Sequence, residues 1–141
     1  MTTPRVATTS STVDALVQVS FAVHRALTRV AADHDLSVTQ LRLLGILRDR
    51  TPSMAAIADY LELDRSSVSG LIDRAERRGL VARRTSEKDA RVTLVEAAPT
   101  GIALGAAITA AVTKEVDELL ASSSASDRAS IERLAASLPT F

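Results

Sequence analysis

From Asp64 to Arg78 the chain places apolar residues at Val68, Leu71, Ile72 and Ala75 and charged or small residues at nearly every other position. Steps of three and four residues predict a helix with one narrow buried stripe. Asp64 is a good N-cap and Gly79 supplies a left-handed stop, so both ends are marked. Such a helix must lie on the surface of a packed body, with Arg65, Ser66, Ser69, Asp73, Arg77 and Arg74 turned outward. Arg and Ser in the first turns of an exposed helix suit the DNA major groove. Arg offers a bidentate donor fork for guanine, and Ser reaches bases or phosphates without bulk.

The flanking segments fit the same reading. Thr51-Pro52 breaks the chain, Ser53 caps a short helix with apolar Met54, Ile57, Ala58 and Leu61, and Glu62-Leu63 make a tight turn. After Gly79, residues 81–84 and 91–95 read as two strands joined by a polar connection, Thr85 to Ala90. The hairpin carries Arg83, Arg84, Lys88 and Arg91. Helix, turn, helix and basic hairpin in that order predict a winged helix-turn-helix.

Charge is distributed to match. The chain has 17 basic and 17 acidic residues, but eight basic and four acidic ones lie between Arg65 and Arg91, leaving nine and thirteen elsewhere. A basic segment on a mildly acidic body is the electrostatic footprint of a nucleic-acid binder, which whole-chain neutrality hides. A solvated helix face with compensating pairs gives the same counts, so the motif context decides. With 141 residues, 46% of them hydrophobic, one domain can bury a real core. Phe21, Tyr60 and Phe141 are the aromatic residues, so Leu, Val, Ile and Ala must build it, which favours packed helices.

Residues 1–11, rich in Thr and Ser, read as a flexible N-terminal arm. Val13, Leu16, Val17, Ser20, Val23, Leu27, Val30 and Ala31 mark a first long helix that closes at Asp33-His34-Asp35. Ser37 is a candidate N-cap for a second helix up to Arg50, with Leu41, Leu44, Ile46 and Leu47 inward. Pro99 opens an Ala-rich helix with Ile102, Ile108, Val112, Val116 and Leu119 on one face, where Gly101, Gly105, Ala106 and Ala107 permit close helix approach. Ser126-Asp127 cap a last helix carrying Ile131, Leu134 and Leu138. The first and last helices hold more apolar stripe than one small unit can cover, so they are expected to pair with a second copy. The expected division is 12–34 and 100–141 as a helical dimerisation region and 35–99 as the DNA-binding region.

Cysteine is absent, which excludes thiol redox sensing, disulfides and Cys-ligated zinc. His24 and His34 stand ten residues apart on one predicted helix, about 15 Å along its axis, too far to share a metal. No metal or other cofactor is expected. No nucleophile, phosphate loop or paired buried carboxylates point to an enzyme. No uncharged apolar run reaches 18 residues and no signal pattern opens the chain, so neither membrane insertion nor export is expected and a cytoplasmic location is.

In Asp64-Arg65-Ser66-Ser67-Val68-Ser69-Gly70-Leu71-Ile72-Asp73-Arg74, then Arg77-Arg78-Gly79-Leu80-Val81, then Arg83-Arg84 and Asp89-Ala90-Arg91, the chain resembles the MarR family of winged-helix transcription regulators. Pro99-Thr100-Gly101 departs slightly from the spacing with which that family opens its fifth helix. The resemblance implies a mainly α homodimer with interlocked terminal helices, a recognition helix in each major groove and a wing in each adjacent minor groove. It implies an inverted-repeat duplex DNA operator and, in many members, repression relieved by a small aromatic or anionic effector.

On that basis the DNA-binding candidates are Arg65, Ser66, Ser67, Ser69, Gly70, Arg74, Arg83, Arg84, Lys88 and Arg91. Gly70 either permits close backbone approach or is neutral. Arg74 either reaches DNA or pairs with Asp73 or Glu76. Asp89 can orient Arg91, and a narrow minor groove attracts Arg. Phe21, His24, Arg25 and Arg42 could line an effector pocket, although a lone His on a semi-apolar face is more often a packing residue. The fifth helix reads as a dimer seam rather than a ligand groove. The alternative function is a winged-helix protein-interaction module that does not read DNA. Such a module calls for exposed Leu, Phe or Met on the second helix of the motif, where this chain has Arg and Ser.

Overall fold

The computed structural model describes residues 11–139. The expected N-terminal arm, apart from Ser11, lies outside the described residues, as does the far end of the expected dimerisation region. The elements run α1 (Ser11–Asp33), α2 (Val38–Leu47), α3 (Met54–Leu61), α4 (Arg65–Arg77), β1 (Val81–Thr85), β2 (Thr93–Ala97), α5 (Pro99–Leu119) and α6 (Ala125–Ser137). Helices dominate, and β1 and β2 form one antiparallel hairpin, Val81 opposite Ala97 and Thr85 opposite Thr93.

Each helix boundary has a local cause. Ser37, Ser53 and Asp64 cap α2, α3 and α4 by accepting the backbone N–H of Gln40, Ala56 and Ser67. Three helices end in the same left-handed closure, in which the residue after the turn donates back to a carbonyl five residues earlier: Leu36 to Ala31, Leu63 to Ala58 and Leu80 to Ala75. The left-handed residues are Asp35 (φ 54°), Glu62 (φ 54°) and Gly79 (φ 70°). Only Gly79 takes that conformation without steric cost. Asp offsets it with a short polar side chain, whereas Glu does not. Glu62→Gly should therefore stabilise the protein by about 0.5–1 kcal/mol, the left-handed penalty of about 1–2 kcal/mol less the entropy glycine loses on folding. A urea melt checks this, and a lower midpoint would mean that the Glu62 side chain contributes more than its strain costs.

The core is built where α2, α3, α4 and the hairpin meet the C-terminal third of α1 and the first half of α5. Leu43, Ile57, Ile72, Val30, Val68 and Val95 are its largest fully enclosed side chains, each contributing on the order of 1.5–3 kcal/mol by burial. The α4 stripe Val68, Leu71, Ile72 and Ala75 is buried as the spacing predicts. In α2, however, Leu43 is buried and Ile46 only partly so. This helix packs against α1, α3, α5 and β2 and has no single inward stripe. It also ends at Leu47 rather than Arg50.

Three further expectations are corrected. The second strand begins at Thr93, which leaves Arg91 and Val92 in the connection. There Val92 still accepts from the Ser86 N–H in register with the hairpin, but its own N–H turns to the Asp89 carbonyl and closes the connection. Beyond it, the Val95 N–H reaches the Pro52 carbonyl and Leu94 bridges Ser53, tying the hairpin to the start of α3. The apolar positions of α5 do not share one face. Gly101 and Ile108 are buried while Ile102 is 62% exposed, because six residues at about 100° each carry a side chain to another flank. The last helix is capped by Ser124, with Asp127 returning the bond at the third position, rather than by Ser126.

Outside this core the apolar surface is large and localised. Val13, Leu16, Val17, Val19 and Phe21 on α1, Ile102 and Leu119 on α5, Ile131 and Leu134 on α6, and Leu138 just after it are each 44–62% exposed. No residue of α6 is buried. Among the described residues, no helix is long and apolar enough to cross a membrane.

Candidate nucleic-acid interface

The α4 N-terminus is organised around Asp64. Its Oδ1 accepts the Ser67 N–H at 2.7 Å and the Ser66 hydroxyl at 2.8 Å. The Ser67 N–H, with help from Ser66, holds the Asp64 carboxyl below the usual carboxylate range. Ser66 is thus a capping partner whose oxygen lone pairs still face solvent. The cap fixes the phase of the helix: with Val68 buried, Arg65 and Ser69 at i and i+4 share one exposed face.

Clefts run along both sides of α4. On the wing side Arg65, Val68 and Ser69 face Arg91, Val92 and Thr93 across a cleft of about 350 Å³, closed at one end by Ser53, Met54 and Ala55. On the other side Ser66, Ser67, Gly70 and Arg74 face Ser37 and Thr39 at the start of α2, across about 380 Å³. A Cβ on Gly70 would stand 3.2 Å from the Arg74 Nη1, so the guanidinium lies close over that glycine. No ion pair among the described residues includes Arg65, Arg74 or Lys88. Arg74 therefore does not pair with Asp73 or Glu76.

Those two carboxylates belong to Arg83, one of the expected DNA-binding residues. Its Nη2 lies 2.8 Å from Asp73 Oδ1 and its Nη1 lies 2.5 Å from Glu76 Oε1, stapling β1 to the solvent side of α4. Arg84 is 3.7 Å from Glu96 on the neighbouring strand, beyond hydrogen-bonding distance, and Lys88 is exposed in the connection.

Arg91 is the most organised of the wing cations. Asp89 accepts its Nε and Nη2 at 3.1 Å each, and accepts its backbone N–H at 3.0 Å. The side chain is nevertheless 90% exposed. The Arg91 guanidinium, aided by its N–H, holds the Asp89 carboxyl below its ordinary value. For a depressed carboxylate the clamp is fully present above the ordinary carboxylate range and is lost as pH falls through the lowered value. It is intact at neutral pH. Arg91→Ala should weaken binding to many duplexes alike and reduce the slope of log K against log salt by about 1. Arg83→Ala should leave that slope nearly unchanged while speeding amide exchange in β1 and β2. Paired titrations at several salt concentrations check both, and a slope loss in Arg83→Ala with none in Arg91→Ala would reverse the two assignments.

The residues expected around an effector lie apart. Phe21, His24 and Arg25 are exposed on α1, and Arg42 donates to the Tyr60 carbonyl at 3.3 Å. None lines the apolar cavity of about 630 Å³ bounded by Leu27 of α1, by α2 residues including Leu44, Gly45 and Leu47, and by α5 residues including Gly105, Ala106 and Ile108. Arg48 is the charged residue of its wall. Thr109 and Thr113 also line it, with hydroxyls that donate to the Gly105 and Thr109 carbonyls at 2.9 and 2.8 Å. The Gly-Ala face of α5, read as a dimer seam, thus borders this space. Facing small residues, Gly45 inside an apolar helix and Gly105 opposite, were the available signal. Gly101 does permit close approach, but to the Leu80 carbonyl of its own chain.

This fold, with Arg65 and Arg74 on α4 unpaired among the described residues beside a clamped wing arginine, is a winged helix-turn-helix. The MarR family model matches residues 34–92, from just after α1 through the connection of the wing. No curated protein sequence matches it. A MarR-family transcriptional regulator from Rhodococcus sp. RHA1 superposes with a TM-score of 0.81 at 23% identity, covering 96% of this chain and 99% of that one. NadR in complex with 4-hydroxyphenylacetate gives 0.78 at 21%, covering 95% and 96%. A mutant MarR from E. coli complexed with operator DNA gives 0.72 at 22%, covering 89% and 92%. At these identities the likeness to each structure is one of fold.

Proposed function

We propose that the protein is a dimeric, sequence-specific transcription regulator that represses its target promoters and is released from DNA by a small-molecule effector. The observation that carries the DNA reading is the cleft that sets Arg65 and Ser69 opposite Arg91. One side chain set can enter a major groove while the wing reaches the adjacent minor groove. Ser66, Ser67, Gly70 and Arg74 flank the same helix, Arg84 and Lys88 add phosphate attraction, and Arg83 holds the wing in place. No large apolar residue is exposed on α4, which weighs against a protein-interaction module.

The apolar surface of α1, α5 and α6, left exposed among the described residues, supports dimerisation. The proposed division keeps residues 12–34 and 100–141 for pairing and 35–99 for DNA. Sedimentation of the protein with a 30-base-pair duplex carrying a selected site should give two chains per duplex. One chain per duplex, or a stable monomer at micromolar concentration, contradicts it.

For the effector, the cavity beside α2 and α5 replaces Phe21, His24, Arg25 and Arg42 as the proposed site. Its volume lies in the range of small-molecule pockets. Its apolar wall with Arg48 suits an apolar body bearing one anionic group, and the two threonine oxygens can only accept. That NadR holds 4-hydroxyphenylacetate in the same fold supports this reading. 4-Hydroxyphenylacetate at millimolar concentration should release DNA from the wild-type protein and fail to do so with Arg48→Gln. Equal release from both would remove Arg48 from the site.

A further inference from the structure

We infer that Arg78 is a positioning residue that sets the spacing between the two DNA half-sites; the inference rests on the dimeric reading above. Arg78 is the C-cap of α4, and its backbone N–H still belongs to the helix through the Arg74 carbonyl. Its side chain leaves the helix and crosses to the end of α1. Nη1 donates to the Asp35 carbonyl at 2.9 Å and Nη2 to the His34 carbonyl at 3.5 Å, 43 and 44 residues away.

The acceptor turn is itself fixed. Asp35 is left-handed, Leu36 and Asp35 donate back to Ala31 and Ala32, and the His34 ring Nδ1 lies 2.9 Å from the Val30 carbonyl. These carbonyls form the negative end of α1, where a cation is favoured. Packing connects α1 to α4 through intervening elements, α2 and α3 on one side and α5 with the hairpin on the other, so Arg78 supplies a direct polar link between α4 and the proposed dimer helix. No carboxylate among the described residues pairs with it.

The geometry makes a small tilt consequential. The 13 residues of α4 span about 20 Å, with Arg78 at one end and Arg65 at the other. A change of one base pair in half-site separation is about 3.4 Å, or about 1.7 Å for each recognition helix. A tilt of roughly 5° over that lever supplies the axial part, while the turn of the groove by roughly 35° that accompanies each base pair is left to the twist of the duplex. Holding the C-terminal end of α4 on the end of α1 therefore fixes which separation the dimer accepts.

The test is a set of inverted repeats that differ only in centre-to-centre separation, from 8 to 13 base pairs, titrated with wild type, Arg78→Ala and Arg78→Lys at several salt concentrations. Wild type should prefer one separation. Arg78→Ala should lose about five-fold of that preference over its neighbours at ±1 base pair, with an unchanged salt slope, and Arg78→Lys should restore part of it. Arg78→Gln carries the same test if the alanine variant does not fold. An unchanged preference in Arg78→Ala overturns the inference, and a salt slope reduced by about 1 assigns Arg78 to a phosphate instead. A wild-type protein indifferent to separation overturns the dimeric reading, a result distinct from either.

Discussion

Gly101→Ala should destabilise the protein by about 3 kcal/mol, the upper part of the range for overpacking a filled site, while Gly105→Ala, one turn along the same helix, should stabilise it. A Cβ at position 101 would lie 1.9 Å from the Leu80 carbonyl oxygen, which also accepts the Ala98 N–H at 2.9 Å. The obstacle is backbone, held in the closure that ends the recognition helix, so it cannot rotate away as a side chain could. Accommodation requires lifting the start of α5 from the turn after α4 and breaking the Ala98 bond. At position 105 nothing lies within 4 Å, and Ala there gains helix propensity of up to about 1 kcal/mol over Gly. Thermal melts should move in opposite directions, Gly101→Ala down by roughly 10 °C. A Gly101→Ala protein as stable as wild type would mean that α5 does not seat on Leu80 as described.

Arg65→Ala should abolish most of the sequence discrimination at one position in each half-site, about 1–3 kcal/mol for each bidentate pair of hydrogen bonds to a base. Arg65 is the first residue of α4, has no carboxylate partner among the described residues and shares its exposed face with Ser69. A cation left unpaired at the exposed start of a rigid helix is available to a base edge, whereas Arg83, bound to two carboxylates, is not. The ratio of affinities for a selected site and a scrambled duplex separates this role from general attraction. In Arg65→Ala that ratio should fall ten-fold or more per half-site, while affinity for the scrambled duplex falls much less. An unaltered ratio would remove Arg65 from base reading.

What was legible in the sequence follows from what each element depends on. The α4 stripe, its Asp64 cap and its Gly79 stop are local properties, and all three hold in the structure. The Asp89–Arg91 clamp was legible for the same reason, since two residues in one turn settle it. Properties that depend on neighbours distant in sequence were not. Arg83 reads as a free cation until β1 is laid against α4 and brings Asp73 and Glu76 within reach. The apolar residues of α5 read as one face until its buried flank, with Gly101 and Ile108, is fixed by Leu80 and the core. The cavity beside α2 was hidden because its shape comes from Gly45 and Gly105, on helices 60 residues apart in sequence. Arg78 stood in the stretch that carries the resemblance, Arg77-Arg78-Gly79-Leu80-Val81, but its role was hidden: its partners are backbone carbonyls, which no residue type announces.

The central claim is that two copies of this chain read an inverted repeat through the Arg65 face of α4. Binding-site selection from a random duplex library tests it most directly. The recovered sequences should share a palindrome whose half-sites lie about one helical turn, roughly 34 Å, apart centre to centre, and repeating the selection with Arg65→Ala should blur one position in each half. Recovery of an asymmetric single site, or of no common sequence above the starting library, would contradict it.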